Sequence, residues 1–275
     1  MGDHLSLINP VSSWIDLHAH LDRLSDSELS EALAEAAAAG VSAVCVAATD
    51  LASAEAVSRQ CATHSSLWGA VGISPFSADS LPDNWQARLR SLLLGERIIA
   101  IGEIGLNETN TKYPPLSLQL PVFERQLEIA RECDLPVILH SRGAESRVAS
   151  LCMDHSIKRA VFHCFTGDSV SLATILDSGY SVSFSGIVTF SRRILGRVAE
   201  VPLDRLFIET DSPWLSPVPY RGQANRPSRV AIIGEAIAKA LGIFPRKLQE
   251  AIEGNFSRLF TPMRRENLLF YSVSV

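Results

Sequence analysis

Eight short apolar runs rich in β-branched residues punctuate the chain, at 14–20 (WIDLHAH), 42–48 (SAVCVAA), 67–73 (LWGAVGI), 97–106 (RIIAIGEIGL), 136–141 (PVILHS), 159–165 (RAVFHCF), 180–186 (YSVSFSG) and 205–211 (RLFIETD). Such runs read as strands buried on both faces, the form strands take in parallel sheets. The stretches between them carry apolar residues at helical spacing. Residues 25–40 (SDSELSEALAEAAAAG) offer a serine or aspartate N-cap, an alanine-rich body and Gly40 as a stop, and residues 115–134 repeat the helical pattern at greater length. Every crossover therefore reads as a helix. Strand-then-helix units with no linker or composition break predict a closed (β/α)8 TIM barrel in the α/β class, a single domain spanning 1–275. An open doubly wound sheet is the alternative, but no G-x-G-x-x-G turn follows any run. Residues 231–242 and 245–260 read as helices completing the outer ring, and the alternating 267–275 as an added tail or a face for another chain.

The polar interruptions of these runs are more informative than the runs. A strand has a side-chain period of two, so His18 and His20 share one face while Leu17, Ala19 and Leu21 share the other. In a parallel barrel the C-terminal strand ends converge on one mouth, where such folds place their chemistry. The first strand delivers His18 and His20 there, the fourth Glu103, the fifth His140, the sixth His163 and the eighth Asp211. Singly, each has a structural explanation: a hydrogen-bonded histidine pair in the core, a glutamate paired with a buried arginine, a loop-capping His140, a packed His163, a turn-capping Asp211. Together, ligand-type side chains from five strands aimed at one mouth point to metal. His4, His64 and His155 fall in tail or helix positions and read as surface residues. Imidazole and carboxylate without thiolate suit Zn²⁺, Mn²⁺, Mg²⁺ or Fe²⁺, and the set exceeds what one open catalytic ion takes. Two ions are implied. Glu103 would bridge His18, His20 and Asp211 on one side and His140 and His163 on the other, with the ions about 3.5–4 Å apart.

Composition narrows the setting. With 47% hydrophobic and 20% charged residues in 275, the chain has the profile of a globular enzyme. Its net charge of −5 gives no general field for polyanions, so nucleic-acid binding would need a local basic patch or bound cations. Five cysteines with no C-x-x-C pair argue against a disulfide framework and a thiolate zinc site, and fit a reducing cytoplasm. No secretion signal and no membrane-spanning run is read. The Met1-Gly2…Ser6 match to a myristoylation pattern is set aside, since Asp3 supplies no second anchor. No obligate protein partner is inferred.

The segments IDLHAHLD, IGEIGLN, LPVILHSRGA, VFHCFTG, IETDSPWL, ANRP and NFSRLF, in this order over nearly the whole chain, resemble the TatD family of metal-dependent deoxyribonucleases and hydrolases, within the amidohydrolase-like barrels. The resemblance implies metal ligands at His18, His20, Glu103, His140, His163 and Asp211. It also implies two divalent cations (Zn, Mg or Mn) and hydrolysis of DNA phosphodiester bonds by an activated water, with Asp211 and Glu103 as catalytic groups. Two positions depart from the family pattern. Ser74 stands in G-I-S-P where G-x-H-P is usual, and Asn107 ends GEIGLN where Asp is usual. Both changes touch substrate or the ligands' neighbours rather than the ligands. N-R-P at 225–227 replaces the commoner N-E-P and adds Arg226. With Arg142, Arg192, Arg193 and Arg221 it would form a basic rim able to hold phosphates, though each singly reads equally as a solvated surface arginine, and Trp214 would stack a base or else anchor a loop or the core. Ser74, Asn107, Arg142, Arg221 and Arg226 are therefore the candidate substrate contacts. Two other readings stay open: hydrolysis of an ester, lactone or amide, and a metal-binding barrel whose catalysis has decayed.

Overall fold

A computed structural model describes residues 12–109 and 112–260; His4, the myristoylation pattern and the 267–275 tail lie outside the described residues. The strands are β1 (Trp14–Ala19), β2 (Val41–Ala47), β3 (Leu67–Val71), β4 (Ile98–Asn107), β5 (Val137–Arg142), β6 (Ala160–Phe162), β7 (Ser181–Phe184) and β8 (Leu206–Ile208). They form one sheet in chain order, every neighbouring pair parallel. The crossovers are α1 (Asp26–Ala38), α2 (Leu51–Thr63), α3 (Trp85–Leu93), α4 (Leu116–Glu132), α5 (Glu145–Asp154), α6 (Ser169–Asp177) and α7 (Arg192–Val198), with α8 (Val230–Leu241) and α9 (Pro245–Leu259) after β8. This is the expected (β/α)8 barrel. No helix among the described residues is long and apolar enough to cross a membrane.

Local chemistry sets the element ends. Ser25 caps α1 in a reciprocal box with Glu28, and Asp50 and Asp168 do the same for α2 and α6 with Ser53 and Ser171, each cap worth about 1 kcal/mol. Gly40, at φ +77°, supplies the left-handed turn that sends the chain from α1 into β2. The first and last parts of the barrel meet through α8: Gly234 lies against the Trp14 ring, where a β-carbon would have no room.

Two strands stop three residues before the ends of their runs, the largest shortfall among the eight. β6 ends at Phe162, before His163, and β8 at Ile208, before Asp211. Cys164 and Asp211 adopt left-handed φ values of 46° and 53°, which turn the chain out of the strand conformation. After β8 the chain leaves β7 and crosses to β1. The Glu209 amide still donates to Phe184 O (3.1 Å), but the Asp211 amide donates to His18 O (2.9 Å) and the His20 amide to Ser212 O (2.7 Å). These bonds close the barrel at its mouth.

Candidate metal centre

His18 comes from β1 and His20 from the residue after its end, and their Nε2 atoms lie 3.0 Å apart. Glu103 is carried by β4, whose register against β5 shifts between Ile101 and Ile104 around it. Two residues on, Gly105 is paired with His140, and a β-carbon there would run into the His140 carbonyl, so only glycine lets β5 approach this closely. Glu103 Oε2 then faces the first histidine pair, 3.4 Å from His18 Nε2 and 3.5 Å from His20 Nε2. Oε1 faces the second pair, 2.8 Å from His140 Nδ1 and 3.7 Å from His163 Nε2. Asp211 Oδ1 sits 3.5 Å from His20 Nε2 and 4.0 Å from His18 Nε2. The structure thus brings all six sequence-predicted ligands together, with Glu103 between two histidine pairs.

The donor set suits a divalent cation. Three groups, His18–His20–Glu103, Glu103–His140–His163 and His18–His163–Asp211, each offer ligand atoms within 4.8 Å of one another. Glu103 Oε1 accepts no aligned hydrogen bond although His140 Nδ1 is 2.8 Å away, which leaves a buried carboxylate oxygen that a cation would satisfy. Charge says the same. Burial opposes ionisation of Glu103, but the His163 charge and the close approach of the His140 and His18 ring nitrogens outweigh it and hold the carboxyl well below its ordinary range. His163 is raised well above the usual imidazole value, burial being overcome by Glu103 and Glu209. Burial also opposes protonation of His20, yet Asp211 and Glu103 raise it, whereas burial dominates at His18 and His140 and lowers both. The cluster demands positive charge, which protons or cations can supply.

Neighbouring groups fix the rings. The His20 Nδ1–H donates to Ala47 O (3.0 Å) and the His163 Nδ1–H to Glu209 Oε1 (3.3 Å), leaving both Nε2 lone pairs facing the cluster. Glu209 is fully buried and also accepts from the Ser183 hydroxyl. Asp16, buried below His18, accepts from the Thr210 amide (2.8 Å) and hydroxyl (2.6 Å); burial pushes its carboxyl up to about 8 against those bonds. The sequence reading passed over both acids. Parity would have found them, since Asp16 alternates with His18 and His20, and Glu209 with Asp211.

The substrate candidates are less uniform. Asn107 is buried and its Nδ2 donates to His140 Nε2 (3.1 Å). Ser74 is fully buried, its hydroxyl without a partner. Arg142 donates to Cys164 O (2.9 Å) and the Thr166 hydroxyl, Arg193 to Thr166 O (3.1 Å), and Arg226 pairs with Glu35. Arg221 donates to Ser216 O (2.9 Å) and lies 4.0 Å over the Phe190 ring. Four of the five rim arginines are thus engaged by the protein, and Arg192 is exposed. His64 and His155 cap the ends of α2 and α5, half-buried. Beside His20 opens a cavity of about 380 Å³ walled by Leu21, Leu24, Ala32, Pro213 and Trp214, with Arg23 at its edge. Arg23 is exposed and makes no ion pair among the described residues, and Trp214, 56% exposed, stands edge-on to His20 at 5.0 Å.

A family model described as TatD related DNase matches residues 15–261. The chain belongs to the TatD family. It is 34% identical over 254 residues to the uncharacterized metal-dependent hydrolase YcfH of Escherichia coli strain K12, covering 90% of this chain and 95% of that one. It is 32% identical over 245 residues to a protein of Cronobacter sakazakii named 3′-5′ ssDNA/RNA exonuclease TatD, covering 86% of this chain and 92% of that one. Among solved structures, YjjV, a TatD homologue from E. coli K12, superposes with a TM-score of 0.86 at 27% identity, over 92% of this chain and 100% of that one. This TatD-family barrel carries its cluster of ligand-type side chains at the strand ends.

Proposed function

We propose that this TatD-family protein is a divalent-metal-dependent deoxyribonuclease that hydrolyses phosphodiester bonds at the mouth of the barrel. The observation that carries the reading is the placement of Glu103 between the His18–His20 and His140–His163 pairs, which suits two cations sharing one carboxylate. Cations bound there would neutralise charge building on a phosphate and acidify a water. Asp211 is the residue to take the proton: its side chain is 13% exposed against 2% for Glu103, so it alone of the two carboxylates meets solvent. Glu103 holds the histidine pairs in register. Arg23 and Arg192 are exposed cations after strand ends that could meet phosphate, and Trp214 offers an aromatic face for a base. The exonuclease named among the relatives supports this substrate class.

The test is cleavage of end-labelled single-stranded DNA in EDTA, then with Mg²⁺, Mn²⁺ or Zn²⁺ restored, beside Asp211→Asn. Metal-restored cleavage that the substitution abolishes is expected. Intact DNA under every metal, with both proteins folded and metal-loaded, would overturn the reading. A second reading, hydrolysis of a small ester, lactone or amide, is favoured by one observation: most rim arginines are already paired, while the cavity beside His20 has apolar walls. Turnover of a carbonyl ester without DNA cleavage would select it.

A further inference from the structure

We propose that Asn107 makes the two halves of the centre unequal, holding His140 with its proton on Nδ1 so that the Glu103–His140–His163 side takes a divalent cation much more weakly than the His18–His20–Asp211 side. The inference rests on the two-cation reading above and concerns how this chain departs from an even pair.

The orientation of the Asn107 amide is fixed by its own contacts. Its Oδ1 accepts from the Thr109 amide (3.1 Å) and the Thr109 hydroxyl (3.0 Å), so the opposite end, Nδ2, faces His140 Nε2 at 3.1 Å. A backbone N–H can only donate, so turning the amide over would set the Asn107 Nδ2 hydrogens against the Thr109 N–H. The backbone at 107 is held as well: its N–H donates to Gln119 Oε1 (2.8 Å) and its carbonyl accepts from Gln119 Nε2 (3.1 Å). With an N–H₂ group pointing at it, His140 Nε2 must be the acceptor, and in a neutral imidazole the proton then sits on Nδ1.

Nδ1 is the atom that faces the centre, 2.8 Å from Glu103 Oε1 and 3.4 Å from His163 Nε2. A proton there already has negative and lone-pair partners around it. To take a cation His140 must lose that proton or move it to Nε2, where it would meet the Asn107 N–H₂ group, donor against donor. The other side has no such obstacle at His20, where Ala47 O accepts from Nδ1 and leaves Nε2 free. On the His140 side itself Glu209 accepts from His163 Nδ1, so the obstacle there lies at His140. His140 is the ring whose neighbour enforces the wrong tautomer for a ligand. A carboxylate at 107 would accept from an Nε2–H while keeping both Thr109 contacts, which turns the same geometry into an orienting pair.

The test is titration of Mn²⁺ into chelator-stripped wild type and Asn107→Asp by calorimetry, with nitrogen NMR of histidine-labelled, cation-free protein at a pH where His140 is neutral. Wild type should bind two cations, the second at least about tenfold more weakly, and Asn107→Asp should tighten the second by about 10–100-fold with little change in the first. His140 should read as the Nδ1–H tautomer in wild type and Nε2–H in the variant. Equal affinities in wild type, an unchanged second constant in Asn107→Asp, or Nε2–H in wild type would overturn the proposal. If neither protein takes a second cation, the two-cation reading falls and the unequal affinities fall with it, while the tautomer measurement still decides what Asn107 does to the ring.

Discussion

Exchanging Gly234 and Gly254 for alanine separately tests whether the closing contact of the barrel is packing or helix propensity. Both lie inside C-terminal helices, Gly234 in α8 and Gly254 in α9, and both would gain about 1 kcal/mol from alanine on propensity alone. Their surroundings differ. Nothing lies within 4 Å of a β-carbon at 254, whereas one at 234 would fall 2.5 Å from Trp14 Cη2 and 2.8 Å from Cε3. Carbon–carbon contacts settle near 3.5–4.0 Å, so helix and ring must separate by about 1 Å or the indole must turn. Trp14 is 4% exposed and begins β1, so neither movement is free. Overpacking of this kind costs about 1–3 kcal/mol and more when the clash is with a ring held on several sides. The expected net is a loss of about 1–2 kcal/mol for Gly234→Ala and a gain of about 0.5–1 kcal/mol for Gly254→Ala. Urea midpoints with unchanged slope would read this, as would melting temperatures separated by several degrees. Shifts of the same sign in both variants would refute the argument that α8 is seated on Trp14 by the absence of a side chain.

Other expected outcomes follow from the centre and the core. Glu209→Gln, which keeps shape and loses the charge that orients His163, should weaken divalent-cation binding by about 10–100-fold in a metal titration, and unchanged affinity would remove Glu209 from the site. Ser74→Ala removes a buried hydroxyl that has no partner, so stability should hold or rise by up to about 1 kcal/mol with DNA cleavage unchanged; a loss of activity would show that substrate or water uses that hydroxyl. All five cysteines are buried and burial pushes Cys61 up to about 12 from 9.0, which lowers its thiolate at pH 8 by about a thousandfold. Native protein should therefore resist a thiol reagent that labels every cysteine after denaturation. Because the folded thiol holds its proton longer than the unfolded one, stability from this group is complete below pH 9 and falls as pH rises towards 12. Fast labelling at pH 8 would contradict the burial.

What could be read from the sequence depended on parity and interruption. His18, His20, Glu103, His140, His163 and Asp211 stood out because each breaks an apolar run near its end, and the repeating topology sends all such ends to one mouth. Glu209 and Asp16 follow the same alternation one step deeper, but a buried acid next to apolar neighbours looks like strand interior until its partner is known. The arginines are a different case. Arg142, Arg221 and Arg226 lie after strand ends as a phosphate rim requires, yet Cys164 O, Ser216 O and Glu35 reach them from segments distant in the chain or across a loop, and no local pattern reports such pairing. Strand ends were overshot at β6, where the run stays apolar through Cys164 and Phe165, and at β8, where Glu209 and Asp211 keep a strand-like alternation, because the left-handed φ of non-glycine Cys164 and Asp211 has no sequence signal.

Closing the barrel and assembling the centre are one event in this chain. Among the described residues no ladder pairs β8 with β1, only an isolated bridge between Ala19 and Ser212; the seam depends on Thr210, whose amide and hydroxyl donate to Asp16 and whose carbonyl accepts from the buried Asn225 side-chain amide (2.8 Å). The same stretch then gives the Asp211 amide to His18 O and takes the His20 amide at Ser212 O. Asn225, the second residue of the ANRP motif, thereby acts through backbone rather than through any ligand. Each bond that draws the last strand to the first also sets Asp211 against His18 and His20. A chain in which the seam opened would lose its most exposed carboxylate from the centre while Glu103, His140 and His163, held by β4 to β6, stayed together. Cation affinity on the His18 side should therefore track the stability of the seam, and affinity on the His140 side should track Asn107 instead.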